Sequence, residues 1–337
     1  MKTEITPHTM GWPEDFSLGK VGMSQSLWKI WEGCNRHFLF VINGYEGHQK
    51  KEKYLFGKIA HDVLDQAYHQ TKVPDNKMVE DFIENYTSSN PEVYLTVDKQ
   101  LIEYELAKAQ ATMTVYFEFY KDDFENKLFR DIERPFDIVW NGLRMRGKKD
   151  GAYFSSGRKW NLETKNMGRV NEILIQEYLP MDFQNQYYIM ADHEKPVGTL
   201  YNVIRNTSSK PLKDETLHQW MAKLETKILK DPEYYFKRFE QPYTKNDMDI
   251  FEQNLNIKVN DLNSKIGKFV FPNTSNCTKE YRCDFLNSCR SNNMNGLKKN
   301  PGKCNDYLFQ ETKERTDASS STKIKATRPK IKAVRRK

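Results

Sequence analysis

The chain has 337 residues and a mass of 39.9 kDa, with 38% apolar and 29% charged residues and a mean hydropathy of −0.83. Its 19 Phe, 18 Tyr and 6 Trp supply large side chains for a core, which excludes wholesale disorder; no run approaches the ~18 apolar residues that span a bilayer. The net charge of +7 is concentrated at one end: residues 313–337 carry ten Lys and Arg against two Asp and Glu, so the other 312 residues sum to −1.

Residues 1–22 hold Gly and Pro with little periodicity and are expected to form an irregular arm. The segment Met1–Pro7 has no apolar signal-peptide region, and a cytoplasmic protein is the expectation. From Ser24 to Phe40, Leu27, Ile30, Trp31, Cys34 and Phe38 recur at helical spacing. Residues 43–53 read as a polar loop. A second helix is expected over Phe56–His69, with Ala60, Val63, Leu64 and Ala67 on one stripe. Met78, Val79, Phe82, Ile83 and Tyr86 mark another, and a longer helix covers about 98–122. The character changes near residue 133. Phe136–Trp140 is strand-like, Asn141-Gly142 is a hairpin signal, and Leu143–Gly147, Asp150–Phe154 and Lys159–Lys165 continue a meander of three or four strands. A helix over 181–193 and a strand at Val197–Arg205 follow. The C-terminal third turns helical again through Leu217–Ile228 and Met248–Leu262, with Thr244 and Asp247 as a capping box. Residues 312–337 lack apolar periodicity and are expected to be disordered.

The chemistry is concentrated in three stretches: Gly57-x-x-x-His61 in the second helix, Asp150 at the start of a strand, and Glu163-Thr164-Lys165 near the end of its partner. Residues i and i+2 of a strand share a face, so Glu163 and Lys165 point the same way, and a hairpin brings Asp150 alongside. Two carboxylates ~4 Å apart repel by ~4 kcal/mol at an effective dielectric near 20, so they need a proton or a cation between them. Hard oxygen ligands suit Mg²⁺ or Mn²⁺, and a lysine beside the ion can hold an attacking water and stabilise phosphate charge, the equipment of metal-assisted phosphodiester hydrolysis. Taken singly, each part has a plainer reading: a solvated strand face, a turn aspartate, a packed histidine.

In this order the motifs resemble the PD-(D/E)XK nuclease superfamily, in particular its RecB-like branch of recombination, CRISPR-associated and phage exonucleases. The resemblance opens with Ser24-Gln25-Ser26-Leu27 and Cys34-Asn35-Arg36-His37-Phe38, where Asn35 stands in place of the usual proline. It continues through Gly57-Lys58-x-x-His61-x-x-Leu64-Asp65, Asp150-Gly151 and Glu163-Thr164-Lys165, and closes with Gln184-Asn185-Gln186-Tyr187-Tyr188 as the branch's Gln-x-x-x-Tyr. It implies a mixed α/β restriction-endonuclease-like core, a central sheet flanked by helices, over residues 23–310 with a helical insertion at about 70–130. It further implies that His61, Asp150, Glu163 and the Thr164 carbonyl hold Mg²⁺ or Mn²⁺, that Lys165 orients the water, and that Gln184 and Tyr188 brace the site and contact DNA. Without the other motifs the Gln184–Tyr188 pair would read as helix packing, and Trp28 and Trp31 read as core.

Five cysteines lie at 34, 277, 283, 289 and 304, three of them within thirteen residues. In iron–sulfur members of the branch, one N-terminal and three C-terminal cysteines hold a 4Fe-4S cluster, which the resemblance carries to Cys34, Cys277, Cys283 and Cys289. The spacing here departs from the usual run, with both gaps five residues long, and a four-cysteine zinc site or free thiols stay open. Cys304 is a spare or a substitute. The basic tail reads as phosphate attraction, as a solvated terminus or as a partner-binding segment. Function therefore divides between a metal-dependent DNA exonuclease of recombination, repair or phage DNA processing, an endonuclease on the same fold, and a non-catalytic DNA-end-binding protein. No Gly-x-x-x-x-Gly-Lys-Ser/Thr motif is present, so unwinding would come from a helicase partner.

Overall fold

The computed structural model describes residues 11–47, 54–70, 72–278 and 283–299. The expectations for residues 1–10, Cys304 and the basic tail lie outside these.

The first predicted helix is two. Helix α1 (Gln25–Gly33) starts at Ser24, whose hydroxyl accepts from the Leu27 N–H at 3.2 Å, and α2 (Asn35–Ile42) follows after a break at Cys34. Cys34 is fully extended, φ −165° and ψ 113°, so the apolar stripe turns a corner there although its spacing stays helical. A two-residue strand, β1 (Tyr45–Glu46), ends the opening segment. Helix α3 (Leu55–Tyr68) matches the expected span within a residue and buries Ile59, Ala60, Val63 and Leu64. The insertion consists of α4 (Asn76–Ser89), α5 (Glu92–Thr96), α6 (Lys99–Phe119) and α7 (Lys121–Glu125). Asp75 and Asp98 cap α4 and α6 by accepting from Met78 and Leu101 N–H groups, each such cap being worth ~1 kcal/mol.

The expected meander splits in two. A short strand, β2 (Phe129–Arg130), precedes the hairpin β3 (Pro135–Trp140) and β4 (Leu143–Lys148), which turns through Asn141 and Gly142 at φ 44° and 78°, both in the left-handed region that Asn-Gly favours. This hairpin forms its own sheet, because its free side is taken by the N-terminal segment: the Met23 N–H donates to Arg144 O at 2.8 Å and the Arg146 N–H to Met23 O at 2.9 Å. The chain then turns at Asp150 into β5 (Gly151–Ser155) and β6 (Arg158–Met167). Helices α8 (Glu172–Tyr178) and α9 (Phe183–Ala191) cross over to β7 (Gly198–Arg205), which runs parallel to β6. After α10 (Leu217–Lys230) and α11 (Pro232–Tyr235), β8 (Phe236–Pro242) completes a five-stranded mixed sheet in the order β2-β5-β6-β7-β8. Helix α12 (Lys245–Lys265) begins with the expected Thr244–Asp247 capping box, and α13 (Leu286–Ser291) and β9 (Lys298–Lys299) follow, the latter paired with β1.

Register partners across β6, β7 and β8 give the sheet two distinct faces. Leu162, Thr164, Leu200, Asn202 and Ile204 share one, and Ile204 joins a core with α3, α6 and α10. Glu163, Lys165, Tyr201 and Val203 share the other, which α8 and α9 cover. A second large core packs Trp28, Trp31, Phe38 and Phe40 with Tyr187 and with Phe251, Leu255 and Leu262 of α12. Phe16, Leu18 and Val21 are buried in it too, so the described part of the arm is irregular but packed. Trp28 and Trp31 are core residues, and Tyr187 is fully buried with its hydroxyl donating to Met23 O at 2.5 Å.

Candidate metal and hydrolytic site

The parallel pairing of β6 with β7 requires a crossover, and the crossover brings α9 down onto the face that carries Glu163 and Lys165. Glu163 is 2% exposed. Its Oε1 accepts from the Gln184 Nε2 at 2.8 Å and from the Lys165 ammonium, which also donates to the Gln184 Oε1 at 3.0 Å. Gln184 thus bridges acid and ammonium, and its Nε2 lies 3.5 Å from the Tyr188 hydroxyl one helical turn on. The Glu163 Oε2 is buried with no hydrogen-bond partner. An orphaned buried carboxylate oxygen is costly, and a cation is the partner that its charge calls for.

Asp150 sits where the chain enters β5, and its Oδ2 accepts the Thr164 N–H at 2.7 Å. His61 reaches the same oxygen from α3, Nδ1 to Oδ2 at 3.9 Å. Glu133 adds an acid that the sequence reading missed: ligand atoms of His61, Glu133 and Asp150 lie within 4.8 Å of one another, the one such grouping among the described residues. The Glu133 backbone is left-handed, φ 50°, a conformation costing of order 1 kcal/mol for a non-glycine residue, and its N–H donates to Asp150 O at 3.3 Å. Its signal was an acid two residues before Pro135 and the first long strand, with no motif to mark it. Glu163 stands beside this triad, close enough for the Asp150 and His61 charges to act on it. Burial pushes the Glu163 carboxyl up to about 8, with the Asp150 charge adding to it, and burial pushes Asp150 up to about 6 against the opposing Thr164 N–H. Burial lowers His61 despite Glu163. Burial also works against the Lys165 ammonium, but Glu163 and Asp150 outweigh it and hold Lys165 above its ordinary value.

The sequence therefore named seven residues that the fold brings together: His61, Asp150, Glu163, Thr164, Lys165, Gln184 and Tyr188. The predicted cysteines form a separate group. The Cys34 Sγ accepts the Asn273 N–H at 3.2 Å, the Cys277 Sγ lies 3.6 Å from Asn273 O, and the Cys283 N–H donates to Cys277 O at 2.8 Å. Burial pushes the Cys283 and Cys289 thiols up, and Cys34 and Cys277 are near enough to add to both. The buried Arg36 lies beside Cys289, and its charge works against the effect of burial on that thiol.

The sequence pattern of the PD-(D/E)XK nuclease superfamily matches residues 23–290. The chain belongs to that superfamily. Its members are nucleases that generally use divalent metals, so nucleic acid is the substrate class, and His61, Glu133 and Asp150 form a grouping that could hold such an ion. No curated protein matches the chain. Among solved structures, a candidate exonuclease from Eubacterium rectale is similar at 15% identity and a TM-score of 0.45, over 84% of this chain and 91% of its own. SSO0001 is similar at 12% identity and a TM-score of 0.27, over 72% of this chain and 96% of its own. Both likenesses are distant, and the assignment stands on the superfamily match. Among the described residues, no helix is long and apolar enough to cross a membrane.

Proposed function

We propose that this protein is a metal-dependent DNA exonuclease of the RecB-like branch, acting in recombination, repair or phage DNA processing beside a helicase partner. The observation that carries the reading is the crowding of acids around β6: the buried Glu163 and the half-buried Asp150 and Glu133 gather at His61, with the Lys165 ammonium on Glu163 and the Lys148 ammonium on Glu133. His61, Asp150, Glu163 and the Thr164 carbonyl hold one Mg²⁺ or Mn²⁺, with Glu133 as a further ligand. When bound, the ion supplies Lewis-acid stabilisation of the phosphate and lowers the pKa of water. Lys165, held by Glu163 and Gln184, keeps its proton and orients the attacking water beside the scissile phosphate. Gln184 fixes the distance between acid and ammonium, and Tyr188 braces Gln184 from below.

Incubating end-labelled linear and circular single-stranded DNA with Mg²⁺, Mn²⁺ or chelator tests this. Metal-dependent loss of label from linear DNA alone is expected. Cutting of the circle would make the enzyme an endonuclease, and binding without cutting would make it an end-binding protein.

The second part of the reading is a 4Fe-4S cluster on Cys34, Cys277, Cys283 and Cys289. Its support is the nearness of Cys34 and Cys277 to both Cys283 and Cys289, with the Arg36 guanidinium beside Cys289 as a counter-charge for an anionic cluster. Anaerobically purified protein should be brown and carry about four irons per chain; colourless protein without iron would remove the cluster.

A further inference from the structure

Behind the site, on the opposite face of the same strand, a row of polar side chains runs across the sheet. Thr164, Asn202 and Arg238 are register partners on β6, β7 and β8. The Asn202 Nδ2 donates to the Thr164 hydroxyl at 3.3 Å, and the Arg238 Nε donates to the Asn202 Oδ1 at 3.3 Å. Thr164 is 2% and Asn202 0% exposed. The row is anchored at its far end in the helical insertion. Arg238 Nη2 donates to the Tyr116 hydroxyl of α6 at 2.9 Å, Nη1 pairs with Asp123 of α7, and the guanidinium lies 3.4 Å from the centre of the Tyr120 ring.

Apolar residues flank this row on the same face: Leu162, Leu200 and Ile204. A buried polar chain contributes less net stability than well-packed apolar side chains of the same volume, but it fixes position, because each member has one geometry that satisfies it. What it fixes here is Thr164, whose N–H holds Asp150 and whose carbonyl faces His61. We infer that Asn202 and Arg238 are positioning residues for the ion site, acting through the Thr164 hydroxyl and coupling the helical insertion to the peptide that orients the ligands. This rests on the metal-dependent reading above.

The test is a calorimetric Mn²⁺ titration of the full chain without DNA, paired with the Mn²⁺ concentration for half-maximal cleavage. Thr164→Val and Asn202→Leu each remove one hydrogen bond of the row and should weaken Mn²⁺ binding roughly five- to tenfold. The double variant should lose no more than the worse single one, because the row acts as a unit. Thr164→Ser, which restores the hydroxyl, should recover the wild-type affinity, and DNA binding in chelator should not move in any of them. Arg238→Lys keeps a cation opposite Asp123 but has no Nε to hold Asn202, and it should reproduce the weaker binding if Asn202→Leu fails to fold. Unchanged Mn²⁺ affinity in folded variants, or losses that add, would overturn the inference. A wild-type protein whose Mn²⁺ binding responds in this way, yet which cuts no DNA, would uphold the row and sink the nuclease reading instead.

Discussion

Two charge clusters lie under the two ends of α9, and they are built with opposite arithmetic. At the C-terminal end Asp192 sits between two ammonium groups, Lys149 at 2.5 Å and Lys159 at 3.0 Å, with Glu194 2.8 Å from Lys159. Although burial pulls the other way, hydrogen bonds from Lys149 and its charge bring the Asp192 carboxyl down to about 2. At the N-terminal end Glu163, Asp150 and Glu133 meet two ammonium groups, Lys165 on Glu163 and the more exposed Lys148 on Glu133, and burial drives the Glu163 and Asp150 carboxyls up. The two clusters meet at consecutive residues, Lys149 and Asp150. A balanced cluster holds the crossover helix to the sheet and asks for nothing more. The other leaves two raised carboxyls and a Glu163 Oε2 without a hydrogen-bond partner, where the proposed ion would sit.

Lys165→Ala or Asp150→Ala should lower the rate of DNA cleavage by at least about 10³-fold, the scale of losing an aligned charge in a site, with DNA binding in chelator retained; gel-based cleavage assays with both variants in Mn²⁺ read this. Full activity in either would move the site elsewhere. Asp192→Asn should leave Mn²⁺ affinity intact but strand the Lys149 ammonium, while Lys159 keeps Glu194, costing about 2–3 kcal/mol of stability in a denaturant titration. Glu133→Gln should weaken Mn²⁺ binding by roughly tenfold with little change in the unfolding midpoint of the metal-free protein.

The pH dependences should run in opposite directions. Asp192 is depressed, so the stability it contributes is present above pH 4 and is lost as the pH falls toward 2. Glu163 and Asp150 are raised, so the metal-free protein loses their contribution as the pH climbs from the ordinary carboxylate range through about 6 and then about 8. Glu163→Gln should therefore raise the melting temperature of the metal-free protein at pH 9 and leave it almost unchanged at pH 5. Mn²⁺ affinity should rise between pH 6 and 8 with proton release, visible as a buffer-dependent calorimetric enthalpy.

The site was more legible in the sequence than the sheet that carries it. Glu163-Thr164-Lys165 announces its geometry because strand alternation fixes which side chains share a face, and Gln184 and Tyr188 announce theirs because helical spacing does. Glu133 has no such periodic partner and belongs to the site only through a left-handed turn. Strand β8 was hidden for another reason. In Phe236-Lys237-Arg238-Phe239-Glu240-Gln241-Pro242 charged residues fall on both faces, and one of them, Arg238, is largely covered only because Asp123, Tyr116 and Tyr120 come from 115 or more residues away to meet it. The corner at Cys34 was hidden because a stripe of apolar residues at three and four looks the same whether or not the backbone stays helical through it.

The pairing of Tyr45 with Lys299 and of Glu46 with Lys298 also has a kinetic meaning. It closes a loop of some 250 residues by a two-residue ladder, and in polymer terms such a closure is unfavourable until the intervening chain is already compact. The hairpin at Asn141-Gly142 and the helical pairs of the insertion assemble from near neighbours and so precede it. The clasp is expected to form last and open first, and limited proteolysis and hydrogen exchange at β1 and β9 would check this by reporting the earliest step of unfolding.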